Sequence, residues 1–303
     1  MTKESFKIFF VYVLLCFIWG STWLAIRISL ESFTPFLSGG LRFLIASIAI
    51  FIIMRFKGIT LQKDKLSINL YLQMGFLSFV IPFGLVYWAE QFVPSGLASV
   101  LFGVYPFFVA IFSYFMIPNE KIEIGKTVGM ILGFSGIIII FSDTFSLTLS
   151  DYLLGMFAVM LSGIMQAYIA VTLKKHGKHL NPLSMNFIPM LIAGIAGTLI
   201  GLFAEDISEV SFEENGILAV IYLAILGSVV TFTSFYWLMK RINVVILSLI
   251  AFITPIVALL LGWIFYNEVF TTHHLIGSAL VLIGLLIANL FGIIVQKVNE
   301  VKV

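Results

Sequence analysis

Long apolar segments separated by short polar breaks run along the whole sequence. A bilayer core of about 30 Å requires about 20 apolar residues per spanning helix, so the pattern predicts an all-α integral membrane protein with ten transmembrane helices. Several breaks contain proline or asparagine, which end helices. The predicted helices cover residues 8–29, 35–56, 69–91, 94–117, 124–142, 150–173, 181–203, 216–239, 243–267 and 273–295.

The distribution of basic residues predicts the orientation of these helices. Fifteen of the seventeen Lys and Arg residues lie near the two termini or in alternate breaks, and loops rich in Lys and Arg remain cytoplasmic. The other breaks collect Glu31, Asp143, Asp151 and the acidic segment 205–214. We therefore expect a multi-pass protein of the cell inner membrane with both termini in the cytoplasm. We interpret the N-terminal apolar segment as a retained first helix rather than a cleaved signal peptide.

Composition identifies the surroundings of the chain and excludes several kinds of protein. Apolar residues make up 61% and charged residues 11%, against about 25% charged residues in soluble domains, so the lipid bilayer is the expected partner. There is no G-x-x-x-x-G-K-[ST] loop, which excludes ATP-driven pumping by this chain. All four histidines lie at breaks, so we expect neither a metal site nor a cofactor. The basic loops are topology signals, and no nucleic-acid partner is expected.

The sequence repeats itself at a shift of about 148 residues. Tyr87 precedes a serine by twelve residues and a proline by nineteen, and Tyr236 stands in the same relation to a second such pair. These partners are Ser99 and Pro106 in the first half and Ser248 and Pro255 in the second. The repeat predicts two units, residues 1–145 and 146–303, with five helices each.

Five is an odd number of helices, so the second unit enters the membrane from the opposite face. The basic loop between predicted helices 2 and 3 accordingly corresponds to the acidic loop between helices 7 and 8. Inverted repeats are typical of secondary transporters, in which two similar bundles alternate access to a site near the membrane midplane. A gene duplication without any role in transport is the alternative interpretation.

Several short motifs resemble those of the EamA-type drug/metabolite transporters. They are Trp19-Gly20-Ser21-Thr22-Trp23, Leu41-Arg42-Phe43, Pro94-Ser95-Gly96-Leu97-Ala98-Ser99, Pro106 and Glu120. The resemblance covers essentially the whole chain and implies a bacterial inner-membrane carrier with a central cavity between the repeats. Many such carriers export amino acids or other small metabolites. The sequence departs from the family pattern at Gln166-Ala167, where a Trp-Ala pair is common, so Gln166 is a candidate cavity residue.

Two charged residues near the outer ends of predicted helices are candidate site residues. A charge inside the membrane costs about 2.5 to 3.5 kcal/mol at mid-helix, so each suggests a function. Arg42 could anchor a carboxylate or another anion; alternatively it could snorkel to the headgroups or pair with an acid at a helix end. Glu90 could couple transport to a proton gradient, or it could be an ordinary carboxylate in contact with water.

Aromatic and small polar residues form the remaining candidate lining. Trp19 and Trp23 share a face of helix 1 with Thr22 adjacent, and Gln91 lies one turn after Tyr87. The repeated set of Ser99, Pro106, Tyr236, Ser248 and Pro255 gives both halves a mixed face, because proline frees a backbone carbonyl that can point into a cavity. The alternative is that the aromatic residues form the interfacial belt and the serines only pack.

The sequence therefore predicts a secondary transporter that moves a small metabolite, either an amino acid or an amphipathic drug-like compound, by alternating access. Export is the direction that the resemblance implies. A membrane-embedded enzyme acting on a lipophilic substrate and a non-transporting scaffold are the alternatives, although no convergent set of catalytic groups is visible. The oligomeric state stays open between monomer and homodimer.

Overall fold

A computed structural model describes residues 3–120, 122–142, 150–239, 241, 242, 247 and 250–301. All regular secondary structure within these residues is helical. The helices are α1 (Lys3–Ser29), α2 (Pro35–Phe56), α3 (Lys65–Ala89), α4 (Ser95–Met116), α5 (Ile124–Ser142), α6 (Asp151–His176), α7 (Pro182–Ala204), α8 (the consecutive segments Glu214–Ala224, Ile225–Val230 and Thr231–Met239), α9 (Ile250–Tyr266) and α10 (Thr272–Val301).

The ten predicted helices are confirmed, and most boundaries agree to within a few residues. Nine of the helices in the described part are long and apolar enough to cross a membrane, and α9 is a shorter apolar helix. Helix α1 begins five residues earlier than predicted. The predicted start of α9 falls on residues 243–246, which lie outside the described residues.

The helix ends form two opposite ends of the bundle. We call one the acidic end: Glu205, after α7, contacts the start of α2, and Tyr266 at the end of α9 donates a hydrogen bond to Glu31, after α1. We call the other the basic end. There Lys174 near the end of α6 lies 2.7 Å from Glu120, which follows α4.

The two halves pack together through glycines that bring equivalent helices into backbone contact. A Cβ atom added to Gly40 of α2 would lie 2.3 Å from the Thr198 nitrogen of α7. In the same way, a Cβ atom on Gly129 of α5 would lie 2.4 Å from the Gly284 carbonyl oxygen of α10. Small residues allow membrane helices to approach closely, and here they join α2 to α7 and α5 to α10.

Local backbone features recur at equivalent positions of the two halves. Helix α3 contains a π-helical segment at Gly75–Val80, and α8 contains one at Ile225–Val230. Asn119 and Asn267, each just beyond the end of the fourth helix of its repeat, have φ angles of 65° and 52°. Asparagine tolerates this left-handed conformation better than most residues. Only three described residues have a positive φ angle, and two of them are this pair of asparagines, so the left-handed conformation marks equivalent positions of the repeat.

Two helices of the first repeat are capped by carboxylates of the second. The Glu205 carboxylate accepts hydrogen bonds from the backbone nitrogens of Phe36 and Leu37 at 3.0 and 3.1 Å, at the start of α2. Glu268 accepts from Ser95 at 2.6 Å and from Gly96 at 3.0 Å, at the start of α4. A carboxylate stabilises the positive end of a helix dipole and satisfies its free N–H groups. These caps bind the repeats together at the acidic end.

Replacing Glu268 by alanine is expected to lower the free energy of unfolding by about 1.5 to 3 kcal/mol, because two hydrogen bonds to a charged group are lost in a buried position. The matched control is Glu120→Ala, since Glu120 occupies the equivalent place but pairs with Lys174 at a half-exposed site. Lys174 holds the pKa of Glu120 below its usual range. This ion pair is therefore lost only as the pH falls through the lowered pKa. An exposed ion pair contributes about 0 to 1 kcal/mol to the free energy of unfolding. Equal thermal unfolding midpoints of the two purified variants would contradict the capping role.

Candidate functional site

Arg42 joins the two repeats inside the membrane region. It lies two turns into α2 and is only 3% exposed. Its Nε atom donates to the Ser228 hydroxyl at 3.2 Å and its Nη2 atom to the Gly227 carbonyl at 3.4 Å. The guanidinium carbon lies 5.0 Å from the ring centre of Phe43 and 5.1 Å from that of Phe83. The arginine is therefore held inside the protein and does not snorkel.

The π-helical segment of α8 creates the surface on which Arg42 rests. The Ser228 hydroxyl donates to the Leu223 carbonyl five residues earlier, at 2.9 Å, and the Thr231 hydroxyl donates to the Gly227 carbonyl at 2.9 Å. A π-helical turn shifts backbone carbonyls out of the usual register and is frequent at functional sites. Gly227 allows α1 to approach this segment closely, because an added Cβ atom would lie 2.8 Å from the Thr22 methyl carbon, whereas its distance of 3.7 Å from Arg42 Nη2 would be an ordinary contact.

The buried polar atoms around Arg42 are incompletely satisfied. Its Nη1 atom, the Tyr87 hydroxyl and both carboxylate oxygens of Glu90 have no hydrogen-bond partner within the described part of the chain. Tyr87 and Glu90 are both 0% exposed. Unpaired polar atoms in such positions are rare in folded proteins and call for a functional explanation. We refer to Arg42, Tyr87 and Glu90 as the polar cluster.

Glu90 forms the part of the polar cluster closest to the acidic end. It follows Ala89, the last residue of α3, and Arg27 of α1 donates a hydrogen bond to its backbone carbonyl. Burial raises the pKa of the Glu90 carboxyl well above its usual range, and the nearby charge of Glu268 adds to this effect, whereas Arg27 and Arg42 oppose it. The balance favours a neutral carboxyl in this conformation.

The space beside the polar cluster is small in this conformation. A cavity of about 20 Å³ lies between α2, α3 and α7, and it has room for about one water molecule. Its lining includes Phe43, Phe79, Phe83 and Tyr87. A larger groove of about 600 Å³ lies near the start of α10, next to the exposed side chain of Trp263. The small cavity therefore has no room for a solute larger than water beside Tyr87.

Two of the three predicted site residues of α1 lie near this cluster, and the third lies farther along the helix. Thr22 is buried, and its methyl group lies 2.8 Å from a Cβ atom added to Gly227. Trp23 packs against the apolar group that contains Tyr87. Trp19 lies nearer the basic end, where its ring centre is 5.4 Å from that of Phe235 in α8. Helix α1 therefore places aromatic rings along the interface with the second repeat.

Among the other predicted site residues, those with described side chains do not join the polar cluster. Gln91 is exposed and donates to the Trp88 carbonyl at 3.1 Å, whereas Ser99 is buried in α4. Gln166 lies half-buried on α6. The proline pair differs between the halves: α4 is interrupted at residues 103–104, just before Pro106, but α9 continues through Pro255. Tyr236 lies in α8 without a described side chain, and Ser248 lies outside the described residues.

Sequence reasoning missed the residues that support Arg42. Ser228 and Gly227 carry no signal in the apolar pattern, because the π-helical turn that presents them depends on tertiary packing. Glu205 lay within an acidic segment that was interpreted only as a topology signal. The repeat does not indicate a role for Glu205 either. When the halves are aligned so that Pro35 matches Pro182, the residue of the first half that corresponds to Glu205 is Gly58.

The fold and the polar cluster define a polytopic membrane protein of two inverted five-helix repeats with buried, unsatisfied polar groups between them. Comparison with known families agrees: the EamA-like transporter family matches residues 6–142 and again residues 153–290. The chain belongs to this family and is a membrane transporter.

Similar proteins support the assignment. The "Uncharacterized inner membrane transporter YedA" of Escherichia coli K12 is 31% identical over 265 residues, which are 86% of this chain and 83% of that protein. Protein PagO of Salmonella typhimurium is 28% identical over 94% of this chain and 93% of its own length. The "Uncharacterized transporter YoaV" of Bacillus subtilis is 26% identical over 88% and 91%. A solved crystal structure with 18% identity shares the fold, with a TM-score of 0.69 over 94% of this chain and 98% of that one.

Proposed function

We propose that this protein is a secondary carrier that exports a small metabolite, an amino acid or an amphipathic drug-like compound, across the bacterial inner membrane by alternating access. The observation that carries the proposal is the polar cluster at the interface of the repeats. Arg42 reaches from the first repeat to the second, and its Nη1 atom still has a free donor among the described residues. A solute that binds between two symmetry-related helix bundles can be exposed to either side of the membrane when the bundles rock against each other.

The charges at the two ends support the orientation in this proposal. Lys174 and Arg241 lie at the basic end, and Glu205 and Glu209 lie at the acidic end. The basic end faces the cytoplasm according to the positive-inside rule, and the acidic end faces the periplasm. Both termini are then cytoplasmic. The inner-membrane location agrees with the name of the Escherichia coli relative.

Counterflow in proteoliposomes tests the carrier directly. Vesicles containing the purified protein are preloaded with an unlabelled compound, and uptake of the labelled compound is measured for a panel of amino acids, cationic drugs and nucleosides. A carrier shows saturable uptake that depends on the internal compound. A channel would show flux without saturation or counterflow, and the absence of exchange for every compound would count against the proposal.

Replacing Tyr87 by phenylalanine is expected to reduce saturable counterflow without unfolding the protein. The substitution removes only the hydroxyl, which has no hydrogen-bond partner within the described residues and can therefore be lost at little cost in stability. A hydrogen bond from this hydroxyl to the solute contributes about 0.5 to 1.5 kcal/mol, so uptake should fall by about 2- to 13-fold. The control is Tyr114→Phe, at an exposed tyrosine of α4. Wild-type counterflow in Tyr87→Phe would remove Tyr87 from the binding site.

A further inference from the structure

Glu90 is a buried acid whose surroundings change completely if the acidic end opens. Its side chain is 0% exposed, and both of its carboxylate oxygens are unpaired among the residues described. Since Glu90 comes directly after the last residue of α3, separation of the helices at this end would bring it into water. A conformational change at this end therefore alters the hydration of one ionisable group.

Charged groups reach Glu90 from several elements that surround it. Arg27 approaches from α1, Arg42 from α2 and Glu268 from the segment before α10. Helix α6 packs against the neighbouring residues and presents Gly155 there, where an added Cβ atom would lie 3.4 Å from the Ala89 carbonyl oxygen. Tyr87 is a further titratable group close by, on the preceding turn of α3. The two arginines and Glu268 act on Glu90 in opposite directions.

Burial decides the balance between these charges. An ionised carboxylate that is removed from water without hydrogen-bond donors loses its hydration, and protonation avoids this cost. The Nη1 atom of Arg27 is committed to the backbone carbonyl of Glu90, and two donors of Arg42 are committed to α8. Neither arginine is hydrogen-bonded to the carboxylate of Glu90 in the closed conformation. The closed acidic end is consequently compatible with a neutral Glu90.

We propose that Glu90 is a proton-binding site through which the pH at the acidic end controls opening and closure of that end. The inference rests on the proposed carrier function, and it adds that protonation of Glu90 regulates the carrier. The proton is transferred from a hydronium ion in the water at this end, so one O–H bond of that ion breaks while an O–H bond forms on the carboxylate, and the products are a neutral carboxyl group and a water molecule. Closure takes up this proton, and opening followed by ionisation releases it.

The sign of the pH dependence follows from the difference between the two conformations. Burial raises the pKa of Glu90 in the closed conformation, and contact with water in the open conformation returns it towards the ordinary value. The closed conformation is therefore fully favoured at low pH and loses this advantage as the pH rises through the raised pKa. The acidic end should open more often at alkaline pH.

Cysteine labelling can measure this opening without knowledge of the solute. Cys16 is the sole cysteine in the sequence, so Cys16→Ala gives a cysteine-free protein. Ser38→Cys adds a reporter at a 0% exposed position of α2, one turn before Arg42, and Ser208→Cys adds an exposed reference at the same end. Maleimide labelling of Ser38→Cys in proteoliposomes is divided by that of Ser208→Cys at each pH, which corrects for thiol ionisation.

The expected result is a rise of this ratio by about tenfold or more between about pH 5.5 and about pH 8.5. In Glu90→Gln the ratio should stay low at both values, because the neutral amide mimics the protonated acid. Glu209→Gln, which removes an exposed acid at the same end, should keep the full rise. A constant ratio in the protein with Glu90 intact, or a rise that persists in Glu90→Gln, would overturn the proposal.

The same preparations separate this inference from the carrier function. Saturable counterflow together with a constant labelling ratio refutes the proton site alone. A pH-dependent ratio without counterflow of any compound refutes the carrier alone. If Glu90→Gln does not fold, Glu90→Asp retains the carboxyl and should retain the rise, and loss of the rise in a folded Glu90→Asp protein would contradict the proposal.

Discussion

Replacing Gly40 by alanine should prevent the normal packing of α2 against α7. The added Cβ atom would lie 2.3 Å from the Thr198 nitrogen and 2.6 Å from the Gly197 carbonyl carbon. Favourable contacts between heavy atoms require about 3.5 to 4.0 Å, and a backbone cannot rotate away as a side chain can. The two helices must separate, so we expect a loss of about 3 kcal/mol or more in the free energy of unfolding, or no folded protein.

The neighbouring glycine provides the control for this prediction. A Cβ atom on Gly39 would lie 3.5 Å from the nearest ring carbon of Tyr87, which is an ordinary contact. Gly39→Ala introduces the same chemical change on the same helix, and its thermal unfolding midpoint in detergent should stay close to that of the unchanged protein. Midpoints of the two variants within about 2 °C of each other would show that the backbone contact between α2 and α7 does not limit stability.

Replacing Arg42 by glutamine should abolish most of the transport while preserving the fold. Its two partners on α8 remain satisfied without it, because Ser228 still donates to Leu223 and the Gly227 carbonyl still accepts from Thr231. A lost charge-assisted hydrogen bond to the solute amounts to about 1.5 to 3 kcal/mol, so counterflow should fall by about 10- to 150-fold. Arg42→Lys keeps the charge without the planar fork and should give an intermediate rate.

Arg55→Gln is the matched control for this experiment. Arg55 lies on the same helix but is exposed at the basic end, so its replacement should leave counterflow and the unfolding midpoint nearly unchanged. Two results would show that Arg42 does not bind the solute. One is unchanged counterflow in Arg42→Gln, and the other is a loss of counterflow that follows the fraction of unfolded protein.

The fold could be predicted from the sequence because each of its main features depends on a local pattern. The apolar runs gave helices such as 124–142, which agrees with α5 to the residue. The repeat predicted equivalent positions in the two halves, and Asn119 and Asn267, which lie at such positions, both adopt the same left-handed conformation. The π-helical segments could not be predicted. In a membrane, π-helical and α-helical turns consist of similar apolar residues, so the apolar pattern does not distinguish them.

The candidate site was predicted only in part, because a sequence shows which residues are unusual but not which of them meet. A charge within an apolar run marked Arg42, and the structure places it beside Tyr87 and Glu90. Gln91 was selected because it lies one turn after Tyr87, but the helix ends at Ala89 and its side chain is exposed. The contact of Arg42 with Ser228 joins residues 186 positions apart, and no local pattern reports such a contact.

The carboxylates that cap α2 and α4 have a consequence for the ancestry of the chain. A protein of two repeats suggests an ancestor in which two copies of one half paired with each other. Two copies of the first half would lack one of these caps, because Gly58 stands at the position equivalent to Glu205 and offers no side chain to cap the start of α2. The second half therefore supplies a stabilising contact that the first half cannot supply to a copy of itself, so the two halves are no longer interchangeable.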